Sequence, residues 1–167
     1  IKDHDCYFHV DAAQMFGKDI DTLSNKRIDL ISISGHKIFG PKGIGALVTR
    51  LRNFNKPPLQ PLFFGGGQQA KLRPGTLPVH LIVGLGVAAK IAKKNLKKRQ
   101  EQNKKIYDQI IKLIESLNGN LNGDEKYLLG NCINFSVPNV DAEAFMLTTK
   151  DLISISNGSA CTSSTYE

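Results

Sequence analysis

The stretch Ser32-Ile-Ser-Gly-His36-Lys37-Ile-Phe-Gly-Pro-Lys-Gly-Ile-Gly-Ala-Leu47 decides how this chain is read. Leading into it, Asp29 to Ser34 is an isoleucine-rich apolar run that stops abruptly at Gly35, the pattern of a buried strand. Lys37 is therefore expected on a strand-end loop, and open α/β sheets hold their ligands in the crevice beyond the carboxyl ends of the strands. A lysine amine that is partly desolvated there, close to other cations, is easily deprotonated and attacks a carbonyl to form a Schiff base. Lysines in glycine-rich turns are ordinarily solvated, so this residue alone does not fix a role.

A second apolar run, Cys6-Tyr-Phe-His-Val-Asp11, closes on a carboxylate and is followed by Ala12-Ala13-Gln14. It predicts another strand, with Asp11 at the same crevice edge as Lys37. Pyridoxal phosphate needs such a pair: a lysine for the aldehyde, and an acid that keeps the ring nitrogen protonated so that the ring can accept electrons.

Four stretches carry a more specific signal: His9-Val-Asp11-Ala-Ala-Gln14, Ser34 to Gly43, Arg73-Pro-Gly-Thr76-Leu-Pro78, and Asn157-Gly-Ser-Ala-Cys161-Thr-Ser163. In this order they resemble the cysteine desulfurases, pyridoxal-phosphate enzymes of the class V aminotransferase group, and the resemblance runs almost end to end. It implies an α/β chain of the aspartate-aminotransferase-like type (fold type I), holding part of the large domain and the start of a smaller α+β C-terminal domain. The expected division is 1–90 for the C-terminal half of the cofactor-binding domain, 91–120 for a long connecting helix, and 121–167 for an incomplete small domain with the reactive-cysteine loop.

By the same resemblance, Asp11 pairs with the pyridinium nitrogen, Gln14 hydrogen-bonds the ring hydroxyl and Lys37 is the Schiff-base lysine. Ser34 and His36 match groups that hold the cofactor phosphate, which suits a hydroxyl and an imidazole beside a dianion. Thr76 matches a threonine that reaches the phosphate of the neighbouring subunit, implying a homodimer with shared active sites. Cys161 matches the residue that takes sulfur from L-cysteine as a persulfide while L-alanine departs, and then hands it to an acidic or scaffold acceptor protein. It sits among small, turn-favouring residues, Ser156 to Ser164, in a loop expected to move. The attacking species is the thiolate.

Cys6 and Cys132 each fall in an apolar run, and both are expected in the core, since free cysteine is among the most buried residue types. Three cysteines without metal-ligand spacing argue against a zinc site or a disulfide framework. No signal peptide or membrane-spanning stretch is visible in the sequence, which with free thiols suggests a cytosolic setting and no membrane partner.

With 167 residues and 41% hydrophobic composition, the chain is long enough for one domain or parts of two. Members of the resembled family are more than twice as long, and both ends look cut: the histidine that stacks on the cofactor and the arginine that binds the substrate carboxylate match no residue here.

Short strands are expected near Cys6–Asp11, Leu30–Ser34 and Ala46–Thr49, with Gly43 and Gly45 permitting the last turn. A loop over Asn53–Pro78 holds five of the seven prolines. A helical pattern starts at Val79 and runs, as one helix or two in series, to Asn118-Gly119. Further strands are expected near Cys132–Val137 and Leu152–Ser156, with a helix over Ala142–Thr149.

The net charge of +7 comes largely from Lys90 to Lys105, where eight basic residues meet the single acid Glu101. Clustered lysines bind phosphate backbones, but no aromatic residues interleave within this segment, and direct nucleic-acid binding is not expected. A solvated helix face is the simpler reading, with docking of an acidic sulfur acceptor as its functional extension. Rival functions are a selenocysteine lyase-type relative and a truncated, non-catalytic binding fragment. Iron–sulfur assembly, tRNA thiolation and DNA phosphorothioation all draw on such desulfurases. Pro74 and Asn157 resemble the bacterial enzymes of DNA sulfur modification more than the housekeeping type.

Overall fold

The computed structural model describes residues 4–158, which fall into two units, the first ending at Asn103 and the second beginning at Lys104. The first is built on a mixed sheet of β1 (His9–Asp11), β2 (Leu30–Ser34) and β3 (Gly45–Thr49), in that spatial order. β1 runs parallel to β2 with Asp11 opposite Ser32, and β3 runs antiparallel to β2 with Gly45 opposite Ser34. A parallel pair needs a crossover, and it contains the single-turn helix α1 (Ile20–Leu23), capped by Asp19, whose carboxylate accepts from Thr22 N at 3.0 Å.

The connection from β2 to β3 is tight because its glycines allow it. A Cβ on Gly45 would stand 2.5 Å from the Ile33 carbonyl oxygen, and Gly43 adopts φ +84. The helical pattern forms one element, α2 (Val79–Ser116). Its inward residues Ala88 and Ala92 are buried against Ile38, with Phe16, Leu85 and Ala89 packed around them. Small side chains at those two positions bring the helix close to the turn that carries Lys37. α2 ends where the sequence indicates: Asn118 takes φ 53, and Gly119 N donates to Ile114 O at 2.9 Å.

The far end of β2 is fixed by charge. Asp29, buried just before the strand, accepts from Phe8 N at 2.7 Å, from Arg27 at 3.0 Å, and from Arg52 Nε and Nη2 at 2.5 and 2.6 Å. The Arg52 hydrogen bonds, helped by the Phe8 amide and the charge of both arginines, outweigh desolvation and lower its pKa to about 2.

In the second unit, β4 (Asn120–Leu121) pairs antiparallel with β5 (Phe135–Ser136). α3 (Ala142–Thr149) opens with Asp141 accepting from Ala144 N at 2.7 Å.

Several expectations are corrected. Cys6 and Cys132 are exposed, not in the core. β1 starts only at His9, because the Cys6 carbonyl is taken by the guanidinium groups of Arg27 and Arg52 at 2.7 and 2.6 Å instead of a strand partner. The strand expected over Cys132–Val137 shrinks to the two residues of β5, leaving Cys132 in irregular backbone. Leu152–Ser156 forms no strand; it leaves α3 through a turn and no neighbouring strand offers it a ladder among the described residues.

Candidate active site

Parallel pairing of β1 with β2 brings their carboxyl ends to one sheet edge, and this is what gathers the candidate residues. Asp11 ends β1 and Ser34 ends β2. The residues Gly35–Ile38 then form a 3-10 turn. Three residues per turn place Gly35 and Ile38 on the buried side and leave His36 and Lys37 exposed. Ile38 is thus the inward anchor that turns Lys37 outward. The next residue, Phe39, is held in the left-handed region at φ 64 with its ring exposed under the Arg99 guanidinium, 5.2 Å away. A bulky residue in that conformation persists only where its surroundings hold it, and such positions cluster at functional sites.

At the edge itself, Ser34 Oγ and His36 Nδ1 lie 3.0 Å apart. Asp11 is exposed, and its Oδ1 accepts from the Ala13 amide at 3.0 Å, which fixes the carboxylate across the first turn after the strand. Gln14 is exposed on that turn, its Oε1 accepting from Lys18 Nζ at 3.2 Å. Two residues before Asp11, and so on the same face of β1, His9 Nε2 sits 2.8 Å from Ser32 Oγ, the residue opposite Asp11.

Asp11, Gln14, Ser34, His36 and Lys37 therefore belong to two adjacent strand ends, as their sequence positions predict. Thr76 is exposed on the long loop before α2, following Gly75 at φ +112, and no hydrogen bond ties it to the strand ends among the described residues. Cys161 lies outside the described residues. Lys37 is exposed, so the partial desolvation expected of its amine is not supplied by the described residues. The sequence did not single out Ile38 or Phe39; the buried, exposed, exposed, buried rhythm of a 3-10 turn after a strand is the signal that would have marked Ile38.

The donor set fits a phosphorylated pyridine aldehyde. A hydroxyl and an imidazole stand together for a dianion, a primary amine is free to meet an aldehyde, and a carboxylate ends the neighbouring strand where a ring nitrogen can meet it.

Comparison with known proteins agrees. The family model described as Aminotransferase class-V matches residues 1–167. The chain is 44% identical to a mitosomal cysteine desulfurase of Trachipleistophora hominis, over 99% of this chain and 38% of that protein. Its fold superimposes on DndA from Streptomyces lividans with a TM-score of 0.78 and 47% identity, covering 92% of this chain and 43% of that one. A structure described as SspA in complex with cysteine gives a TM-score of 0.68 and 38% identity over 97% of this chain and 44% of that one. The chain spans about two-fifths of the length of these relatives. It belongs to the class V aminotransferases, a pyridoxal-phosphate-dependent family, and carries part of their fold-type-I architecture.

Proposed function

We propose that this chain contributes the cofactor anchor and the sulfur-carrying cysteine of a cysteine desulfurase acting on L-cysteine. The observation that carries the reading is the shared edge: a parallel register puts Asp11 beside the strand that delivers Ser34, His36 and Lys37. In this role Lys37 binds the cofactor aldehyde, Ser34 and His36 hold its phosphate, Asp11 keeps its ring nitrogen protonated, and Gln14 bonds its ring hydroxyl. Bound pyridoxal phosphate supplies an electron sink for the substrate carbons.

Cys161 acts as a thiolate on the substrate sulfur. An S–S bond forms to its Sγ as the substrate Cβ–S bond breaks; the bonding pair stays with carbon, which takes a proton and leaves as L-alanine. Cys161 keeps the sulfur as a persulfide, and an acceptor protein removes it. Iron–sulfur assembly, tRNA thiolation and DNA phosphorothioation are the destinations open to it.

Thr76 is assigned to the phosphate of a second subunit. This is supported by its exposed loop, on which Phe54, Leu62, Phe63 and Phe64 all face outward, since an apolar surface of this kind marks an interface.

The test is spectroscopic and chemical. Protein incubated with pyridoxal phosphate develops a visible absorbance band that Lys37→Ala abolishes. With L-cysteine it releases alanine and gains one sulfur atom in mass, and Cys161→Ser retains the band but gains none. A band unchanged in Lys37→Ala, or alanine release undiminished in Cys161→Ser, overturns the reading.

A further inference from the structure

We infer that the outward face of α2 from Val83 to Lys98 is a docking surface for an acidic, partly apolar face of another protein. The inference does not depend on the desulfurase reading.

Within the first unit, Lys90, Lys93, Lys94, Lys97 and Lys98 are all exposed, and the segment from 90 to 98 holds no acidic residue. Spacings of three and four place these lysines on one side of the helix, away from Ala88 and Ala92, which are buried against Ile38. No ion pair involves any of the five among the described residues. Like charges at such spacings repel. A helix face that serves only solvation relieves this with interspersed glutamates; this one does not. Unpaired ammonium groups are almost never fully buried, so any further chain that covers them has to bring carboxylates.

The same face carries an aliphatic stripe. Val83, Val87 and Ile91, spaced by four, are 59%, 52% and 48% exposed, and the neighbouring row on the same side of the helix carries Lys90, Lys94 and Lys98. Protein interfaces combine an apolar centre with a polar rim, and an amphipathic acidic helix meets both halves of this surface. A phosphate backbone would leave the stripe unused. The patch also has no arginine fork for bidentate phosphate contact and no aromatic ring for base stacking. The charge pattern and the stripe together therefore favour a protein over a nucleic acid.

The position is consequential because α2 packs directly behind the Lys37 turn. A partner seated on its outer face stands one helix diameter, about 10 Å, from Ile38.

The experiment titrates the full-length protein with a labelled helical peptide bearing glutamates and leucines at i, i+3 and i+4 spacing. A scrambled peptide, poly-glutamate and duplex DNA serve as comparisons. The amphipathic peptide is expected to bind tightest; K90E/K94E/K98E weakens it at least about tenfold through lost charge complementarity, and V83S/V87S weakens it while leaving poly-glutamate binding unchanged. Binding unaffected by charge reversal overturns the inference. So does duplex DNA or poly-glutamate binding as tightly as the peptide, which makes the face a general polyanion site. A change of oligomeric state in K90E/K94E/K98E also overturns it, assigning the face to contacts between copies. Should the reversed variant not fold, K90Q/K94Q/K98Q applies the same criteria with a smaller expected loss.

Discussion

Arg52 grips Asp29 with two nitrogens, Nε at 2.5 Å and Nη2 at 2.6 Å, across one end of the β2–β3 pair: the carboxylate precedes the first strand and the guanidinium follows the second. Asp29 is buried, so the pair is desolvated on the carboxylate side while Arg52 remains partly open. Arg52 also donates to Asp5 and to the Cys6 carbonyl, which ties the segment before β1 to the same point. Held this way at one end, the sheet presents its other end, with Ser34 and Lys37, in a fixed register.

Removing the carboxylate leaves two guanidinium groups facing a buried site. Asp29→Asn is expected to destabilise the chain by about 3 kcal/mol, the cost of breaking a buried pair by one partner. Urea unfolding measures it, and an unchanged midpoint refutes the clamp.

The same pair sets an acid limit. The folded pKa of Asp29 lies at about 2, below its ordinary 3.8. Its contribution is therefore fully present above the unfolded value and is lost as pH falls from there through about 2, amounting to ~2 kcal/mol. Wild type is expected to lose stability steeply across that window, and Asp29→Asn to show a shallower decline.

Gly45→Ala pushes a methyl carbon to within 2.5 Å of the Ile33 carbonyl, which is backbone and cannot swing aside. Overpacking of this kind costs about 1–3 kcal/mol. Because Gly45 pairs with Ser34, uptake of pyridoxal phosphate, followed by absorbance, should weaken alongside the midpoint.

Ile38→Ala removes the inward anchor of the Lys37 turn from its packing on Ala88 and Ala92. A loss of about 2–5 kcal/mol is expected. Cofactor affinity should fall with it, whereas a variant that keeps wild-type affinity separates the anchor from the site.

In the second unit, Tyr107 donates its hydroxyl to Glu125 at 2.9 Å, and desolvation followed by this bond raises its pKa. Tyr107→Phe is expected to lower the midpoint of thermal unfolding slightly, because it removes this hydrogen bond. Ultraviolet titration of the variant should lose the component that desolvation and Glu125 raise in the wild type.

Much of this was legible in the sequence where periodicity or turn chemistry acts locally. The β2 strand, the Lys37 turn, the helical pattern from Val79 with its Asn118-Gly119 stop and the helix over Ala142–Thr149 all follow from patterns within a few residues, whereas the periodicity left open whether that pattern forms one helix or two. The errors arise where structure depends on a distant partner. An apolar run such as Cys6–Phe8 or Leu152–Ser156 reads as strand whether or not a neighbour exists to complete its ladder, and arginines from 21 and 46 residues away claimed the Cys6 carbonyl. At the site, residue types and order announced the two strand ends, but the anchoring by Ile38 and the left-handed Phe39 needed the backbone to be seen.

The hairpin from β2 to β3 also bears on the order of assembly. Its pairing of Ser34 with Gly45 closes a short loop, while seating Ile38 against Ala92 closes a far longer one, and the entropic cost of closure rises with that length. The anchor turn is local in contact order and its helical backing is not. During synthesis, therefore, the segment bearing Lys37 can take its shape before α2 has been made, and the helix arrives at a turn already formed.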